Sequence, residues 1–437
     1  MKHFWLFALF STLCLGTTLP AADWLRFRGP NGSGVAPDAT PTPSKWSPTS
    51  NLAWKLKLPG PGSSCPIVVG DKVFVTCWSG YGTSRTETDQ KLLKRHLVCV
   101  NKSTGKIDWD VSEPAELPED RYGGMFAEHG YASHTPVSDG KAVYVFYGKS
   151  GVFAYDLAGK KLWNTKVGSG LDGRNWGSSS SPVLFKDLVI VPACAESQSL
   201  VALEKSNGKK KWEAKASGFA STWGTPVIVG EDTDNPQIVI GVPYEIWAFN
   251  PENGKLRWYA GGLPTDSYCS SVVSDGTVVY GFEGRSGGAI AIKAGGKGDV
   301  SQSGLLWKSS DRNRICTPIV VDKRIYYVSS RTAYCVDAKT GKNIYSERLS
   351  GGGTGGRPTA GGRGGQDYGS PVAADGKLYF ITRSGDAYVL KLGDDFEQLA
   401  VNRVTTDTED FSATPAIADG KIYIRSSAHL YCVAEKK

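Results

Sequence analysis

One short motif constrains this chain more than any other feature. It is a small residue, then Pro and two or three apolar residues, then a polar turn and an apolar strand. It stands at Ser64-Cys65-Pro66-Ile67, Thr135-Pro136-Val137, Ser181-Pro182-Val183 and Thr225-Pro226-Val227. It returns at Ser270-Ser271-Val272, read with Ser271 in the Pro slot, and at Thr317-Pro318-Ile319, Ser370-Pro371-Val372 and Thr414-Pro415-Ala416. That makes eight copies, and five of the seven intervals between them lie between 44 and 47 residues. Residues 316–345 show the unit behind the motif as four short strands, at 317–321, 324–329, 333–337 and through Ile344 and Tyr345. They are rich in β-branched and aromatic residues, which suit a half-buried pleated surface. A meander this small leaves both faces bare and must stack on copies of itself. Four strands repeating at roughly 40–45 residues are the pattern of a β-propeller blade.

The second half of the unit recurs with the first. Third strands end at 98–101, 153–156, 201–204, 246–250 and 334–337. Turns follow at Thr104-Gly105-Lys106, Gly159-Lys160, Asn207-Gly208-Lys209, Asn253-Gly254-Lys255 and Thr340-Gly341-Lys342. A fourth-strand aromatic comes next: Trp109, Trp163, Trp212, Trp258, Trp307 and Tyr345. Such large apolar rings at one blade position call for a neighbouring blade to cover them. The last copy ends after Leu430-Tyr431-Cys432-Val433 with no fourth strand, whereas 51–56, Asn-Leu-Ala-Trp-Lys-Leu, repeats the pattern around Trp307. The expected fold is therefore all-β: an eight-bladed β-propeller of four-stranded antiparallel blades over 51–437, closed by the N-terminal strand. Three insertions interrupt it, at 78–95, 111–130 and 351–365. The last is Gly-rich but opens no helix, so it is read as a linker rather than a phosphate loop.

Residues 1–22 read as a secretory signal, with Lys2 before an apolar run at 4–15 and small residues near Ala22, a run too short to span a bilayer. The expectation is an exported protein, periplasmic or extracellular, with no transmembrane segment. Residues 23–50 are rich in Pro and Gly and lack a strand period; Trp24, Phe27 and Trp46 are expected to lie against the ring. The formal net charge of +7 is spread over blade turns, which argues against a nucleic-acid partner. Cys99, Cys335 and Cys432 occupy third-strand positions where other blades carry Ala, and no CxxC or zinc spacing is present, so buried free thiols are expected.

Ligand sites in a ring collect where the loops feeding the innermost strands surround the channel. Those loops carry His129, Tyr131 and His134; Arg174, Asn175 and Trp176; Trp223; Asp266 and Tyr268; Asn313 and Arg314; Asp367 and Tyr368; and Asp410 and Phe411. Aromatic faces alternating with Arg and carboxylates suit stacking and hydrogen bonding to a ligand, and equally suit a plugged channel mouth. His129 and His134 are candidate bases or metal ligands, but no third ligand, Ser/His/Asp set or P-loop accompanies them.

The stretches 99–109 and 335–342, Cys-Val-Asn-Lys-Ser-Thr-Gly-Lys-Ile-Asp-Trp and Cys-Val-Asp-Ala-Lys-Thr-Gly-Lys, resemble the pyrroloquinoline-quinone-type propeller repeat. The opening at 24–34 resembles the start of secreted bacterial proteins of that family. The resemblance implies two kinds of function. Quinoprotein alcohol dehydrogenases hold the quinone with calcium, beneath an adjacent-Cys disulfide and beside a carboxylate base. The propeller lipoprotein of the outer-membrane β-barrel assembly machinery is a non-enzymatic scaffold. This chain has no adjacent Cys pair and no matching calcium set. The expectation is an exported, non-catalytic binding or scaffold module without a cofactor. Its partner would be an envelope protein or a carbohydrate or small-molecule ligand at the channel mouth. The alternatives are a quinone-dependent dehydrogenase of alcohols or sugars and a polysaccharide-active enzyme using the His/Tyr cluster.

Overall fold

The structure, a computed structural model, describes residues 23–36, 40–283, 287–313, 315–353 and 366–435. The expected signal segment, Arg314 and most of the Gly-rich insertion lie outside the described residues. The chain forms an eight-bladed propeller of antiparallel meanders, one for each copy of the motif. Neighbouring first strands touch around the channel, and Ala416–Ala418 of blade 8 meets Ile67–Val69 of blade 1. The N-terminal strand closes blade 8 as the repeat demands. Leu52–Lys57 pairs antiparallel with His429–Val433, with Trp54 opposite Cys432 and Lys57 opposite His429. Among the described residues, blade 4 alone carries a fifth strand, Gly298–Asp299, which pairs in parallel with Trp258 and Tyr259.

The fourth-strand aromatics hold adjacent blades together. The indole N–H groups reach the turn of the next blade: Trp54 donates to Lys102 O (3.1 Å), Trp109 to Leu157 O (3.1 Å) and Trp163 to Lys205 O (2.8 Å). Trp212 donates to Pro251 O (3.0 Å) and Trp307 to Ala338 O (2.9 Å). The ring then lies flat against that turn's glycine. At Gly341, φ is +69° and a Cβ would stand 2.6 Å from the Trp307 ring, so a side chain there is excluded twice over. Gly105, Gly159, Gly208 and Gly254 repeat the contact with Trp54, Trp109, Trp163 and Trp212. The Thr-Gly-Lys pattern is thus a seat for the preceding blade's indole.

Within a blade, the same register places a small third-strand residue between the aromatic ring and a second-strand side chain. Trp109 faces Cys99, which faces Phe74; Trp54 faces Cys432, which faces Tyr423; Tyr345 faces Cys335, which faces Tyr326. These cysteines are fully buried and unpaired, and all eight cysteines among the described residues are free thiols. Blade 7 breaks the pattern, with Ala400 facing Val389 and Tyr379 beyond it. There Trp46, from the N-terminal segment, stacks on Tyr379 at 6.4 Å, and its backbone N–H donates to Asn402 Oδ1 (3.0 Å). Blade 5 has a longer loop over 294–304 in place of the Thr-Gly-Lys turn, and Trp258 of blade 4 donates instead to Gln237 Oε1 of its own blade (2.5 Å).

Residues 23–36 cross the channel on the face of the Thr-Gly-Lys turns. Trp24 bridges to Val68 of blade 1, Leu25 O accepts from Ser138 N of blade 2, and Val35 bridges to Ala373 of blade 7. The buried Arg26 and Arg28 reach into the ring, donating to Pro226 O (3.1 Å) and Pro318 O (2.5 Å). The first inter-blade insertion starts later than the sequence suggests, because the fourth strand of blade 1 runs on through Ile107–Pro114. No helix among the described residues is long and apolar enough to cross a membrane.

Removing residues 23–57 is expected to bare the edge of His429–Val433 and vacate the Trp46 seam, giving concentration-dependent association in sedimentation. A truncated chain that stays monomeric and melts with the full chain would contradict this closure.

Candidate functional site

The small residue of the motif builds the channel waist. The backbone N–H of each copy donates to the side chain of the next. Cys65 N reaches Thr135 Oγ1 (3.0 Å), Thr135 N reaches Ser181 Oγ (2.9 Å) and Ser181 N reaches Thr225 Oγ1 (3.0 Å). The series continues to Ser271 (2.9 Å), Thr317 (3.0 Å), Ser370 (2.9 Å) and Thr414 (2.9 Å). Thr414 N then returns to Cys65 Sγ (3.2 Å), closing a circle of eight bonds. Blade 5 enters through Ser271, so Val272 holds the Pro slot and the true register lies one residue beyond the one expected from the sequence.

These eight residues gird a chamber of about 150 Å³. Phe27 from the N-terminal segment also lines it, as do Met125, His129, Trp176, Trp223 and Tyr368. The insertion over 115–130 lies across the loop side as a lid, and Glu128 pins it. The buried Glu128 Oε2 accepts from Arg383 Nη1 (2.6 Å) and from Tyr368 Oη (2.7 Å) of blade 7. Arg383 also donates Nε to Asp410 (2.6 Å) and its backbone N–H to Asp367 (2.7 Å), and it lies over the Tyr368 ring. On the opposite side His129 Nε2 meets Trp176 O (2.5 Å) and Nδ1 meets Ser133 Oγ (2.6 Å). The carbonyl requires Nε2–H, so Nδ1 is the acceptor. Burial lowers the His129 pKa, keeping the ring neutral.

The sequence candidates therefore separate. His129, Trp176, Trp223 and Tyr368 face the chamber. Trp176 and Trp223 lie 5.0 Å apart, and Trp223 Nε1 donates to Gly177 O (2.8 Å). Arg174 sits on the rim, over Trp176 and paired with Asp266 (3.0 Å). Asp367 is tied to blade 7. Tyr131 is buried in an aromatic cluster beneath the lid, 4.7 Å from Phe126, with its hydroxyl on Asp120 O. Tyr268 is buried in the seam of blades 4 and 5, against Gly241 and Gly281. His134 packs on Phe146 and contacts Ser178 (3.0 Å), and burial drives its pKa to about 3. His129, Tyr131 and His134 thus do not converge on one point. Arg314 lies outside the described residues.

Sequence reasoning missed Glu128 and Arg383. Their signal was faint: a charge beside His129 in the longest inter-blade connection, and an Arg in a loop between strands. A second, small cavity of about 30 Å³ lies beneath the lid, with Arg95, Glu119, His134, Lys149, Asp172 and Glu196 among its walls. Arg95 and Glu119 form a buried ion pair there, while Glu196 Oε2 has no partner.

The chamber does not fit a metal-held quinone. It is about half the roughly 300 Å³ of small ligand sites. No Asp or Glu lines it among the described residues, leaving a quinone-bound metal without a carboxylate ligand. No group of three His, Cys, Asp or Glu stands ready for a metal among the described residues.

Ring, plug and lid together define an eight-bladed propeller of the quinoprotein-like class with a narrowed channel. The chain belongs to the PQQ-like repeat family described as outer membrane protein assembly factor BamB, whose model matches residues 35–175, 93–347 and 173–394. Tetrathionate hydrolase of Acidithiobacillus ferrooxidans is 21% identical over 338 residues, covering 69% of this chain and 62% of that protein. Among solved structures, BamB from Moraxella catarrhalis superposes with a TM-score of 0.60 at 12% identity, over 88% of this chain and 97% of that one. A europium-containing methanol dehydrogenase gives 0.63 at 12%, over 95% and 98%. Quinohemoprotein alcohol dehydrogenase from Comamonas testosteroni gives 0.61 at 13%, over 97% and 82%. At such identities the likeness is one of fold.

Glu128→Ala removes one of the two carboxylates that face the buried Arg383, Asp410 remaining, and losing hydrogen bonds to a charged group costs about 1.5–3 kcal/mol. The expected result is a loss of that order in denaturant unfolding, with faster proteolysis within 115–130; a change below about 0.5 kcal/mol, typical of a surface site, would refute the clasp. Burial also raises the Glu196 carboxyl from 4.5 to about 7. The folded state therefore binds this proton more tightly than the unfolded chain, and stability falls as pH rises from about 4.5 to 7. Glu196→Gln should remove that slope, matching the parent near pH 4.5 and exceeding it above pH 7 by up to about 3 kcal/mol. Parallel stability–pH curves would show that Glu196 is not desolvated.

Proposed function

We propose that this protein is an exported, non-catalytic propeller that serves as a binding scaffold at the cell envelope, with an envelope protein as its partner. The observation that carries this reading is the state of the channel mouth. Glu128, Arg383, Tyr368 and His129 are engaged in contacts that hold the lid down, and Asp410 and Asp367 are engaged with Arg383. A catalytic funnel needs its acid, base or metal ligands turned toward a substrate. Here the charged groups face one another.

The lid side also presents apolar surface to water. Leu92, Leu117, Leu171 and Tyr244 stand 57%, 41%, 46% and 57% exposed, each in a loop on that side. Exposed apolar groups on a rigid loop platform suit a protein partner. The family description, an outer-membrane assembly factor, and the apolar run at 4–15 support envelope placement.

The purified full chain is expected to give no saturable binding of the quinone with calcium and no alcohol- or aldose-dependent dye reduction. It should also leave tetrathionate unconsumed. Photo-crosslinking from positions 117, 171 and 244 in the native host should give one discrete adduct, whereas positions 162 and 306 on the blade sides should give none. Micromolar quinone binding that is lost in Trp223→Ala, together with turnover, would establish the dehydrogenase instead. Tetrathionate turnover, or the absence of any adduct specific to the lid side, would also overturn the scaffold reading.

A further inference from the structure

The waist of the channel carries hydrogen-bonding capacity that the fold leaves unused. In the closed circle, seven members are hydroxyls, and each oxygen accepts one backbone N–H from the blade before it. A hydroxyl retains its own proton to donate. Thr135 and Thr414 stand against the Cys65 thiol. Among the described residues the O–H groups of Ser181, Thr225, Ser271, Thr317 and Ser370 have no acceptor, yet all five line the chamber. Other serines of the same region differ. Ser63 donates to His129 O, Ser180, just behind the wall, to Gly224 O, and Ser412 to Asp410. The waist is therefore a belt of hydroxyls that each accept one amide and keep the O–H uncommitted, with no carboxylate in its wall among the described residues.

Two buried guanidinium groups stand beside this belt without a carboxylate. Arg28, 1% exposed, gives Nη2 to Pro318 O (2.5 Å) and to Ser33 O (3.3 Å), while its Nε and Nη1 have no partner. Pro318 directly follows the belt residue Thr317. Arg425, fully buried, gives Nη1 to Ser64 O (2.9 Å) and Nη2 to Thr76 O (2.6 Å), and its Nε has no partner. Ser64 directly precedes the belt residue Cys65. A buried cation without a counter-charge is costly, and burial accordingly lowers Arg28 to about 9. Neither guanidinium lines the chamber, but an anion at the waist would lie one residue from the carbonyl that each one holds.

We propose that the chamber binds a small inorganic anion of the sulfate, nitrate or halide class, held by the hydroxyl belt and charge-compensated by Arg28 and Arg425. The chamber of about 150 Å³ admits such an ion with a few waters, a water's share of liquid volume being about 30 Å³. Charge-assisted bonds from several converging O–H groups replace part of the ion's hydration. The site lies beneath the lid, away from the exposed loop surface that the scaffold reading uses, so either reading fails without the other.

Calorimetric titration of the full chain with sodium sulfate, nitrate and chloride, at ionic strength fixed by a bulky organic anion, tests it. One-to-one saturable binding of at least one of the three is expected. The combined variant Ser181→Cys, Ser271→Cys, Ser370→Cys keeps an acceptor sulfur at each position, as Cys65 already does toward Thr414 N (3.2 Å), but replaces strong O–H donors with weak S–H. It should bind at least tenfold more weakly while melting as the parent does in anion-free buffer. Arg28→Gln should weaken binding at least tenfold as well. Should a variant fail to fold, the parent decides the matter alone: the ion should change its indole fluorescence saturably, with the midpoint that calorimetry gives. Absence of saturable binding for all three ions, or binding untouched by these substitutions, would overturn the assignment.

Discussion

Everything else in this molecule depends on a bond that crosses from one blade to the next: a backbone N–H given to a neighbour's short side chain. Each such bond fixes the start of an innermost strand, where eight strands crowd around one axis. A buried amide without a partner is costly, so eight of them at the waist must all be answered. Ser and Thr answer with an oxygen on the shortest possible stem, and the Pro that usually follows has no N–H to satisfy. Cys65 shows that the rule concerns an acceptor at that distance rather than a hydroxyl as such.

The outer half of each seam relies on a different device. An indole lies across the glycine of the next turn and caps the turn's carbonyl, so one residue supplies apolar area and a hydrogen bond together. Where the repeat loses an element, something else takes its place. Trp46 crosses over from the N-terminal segment to cover Tyr379, and Gln237 takes the Trp258 N–H where blade 5 has a longer loop in place of the Thr-Gly-Lys turn. The N-terminal residues thus serve three purposes within some thirty-five positions: plug, seam filler and closing strand.

These features explain which parts of the molecule are legible in the sequence. Blade count, strand order and ring closure follow from periodic positions, because the same contact must be met eight times. The register at Ser270 is obscured because Val272 replaces Pro, which removes the strongest marker while the hydrogen bond survives at Ser271. The lid leaves no periodic trace. Glu128 meets Arg383 across 255 positions of sequence, and only the closed ring brings the two together. For the same reason the loop residues look like one aromatic and charged site, yet the fold gives Tyr131 and His134 to the packing beneath the lid, Tyr268 to a seam, and His129, Trp176, Trp223 and Tyr368 to the chamber.

Native-state amide exchange tests the closed ring most directly. If the circle is continuous, the amides of Thr135, Ser181, Thr225 and Thr414 exchange only through global unfolding, and those of Leu52–Lys57 that face His429–Val433 share that protection. Rapid exchange in Leu52–Lys57, or at Thr414 while Thr225 stays protected, would mean that the ring stands open between blades 8 and 1, which contradicts a continuous circle of bonds.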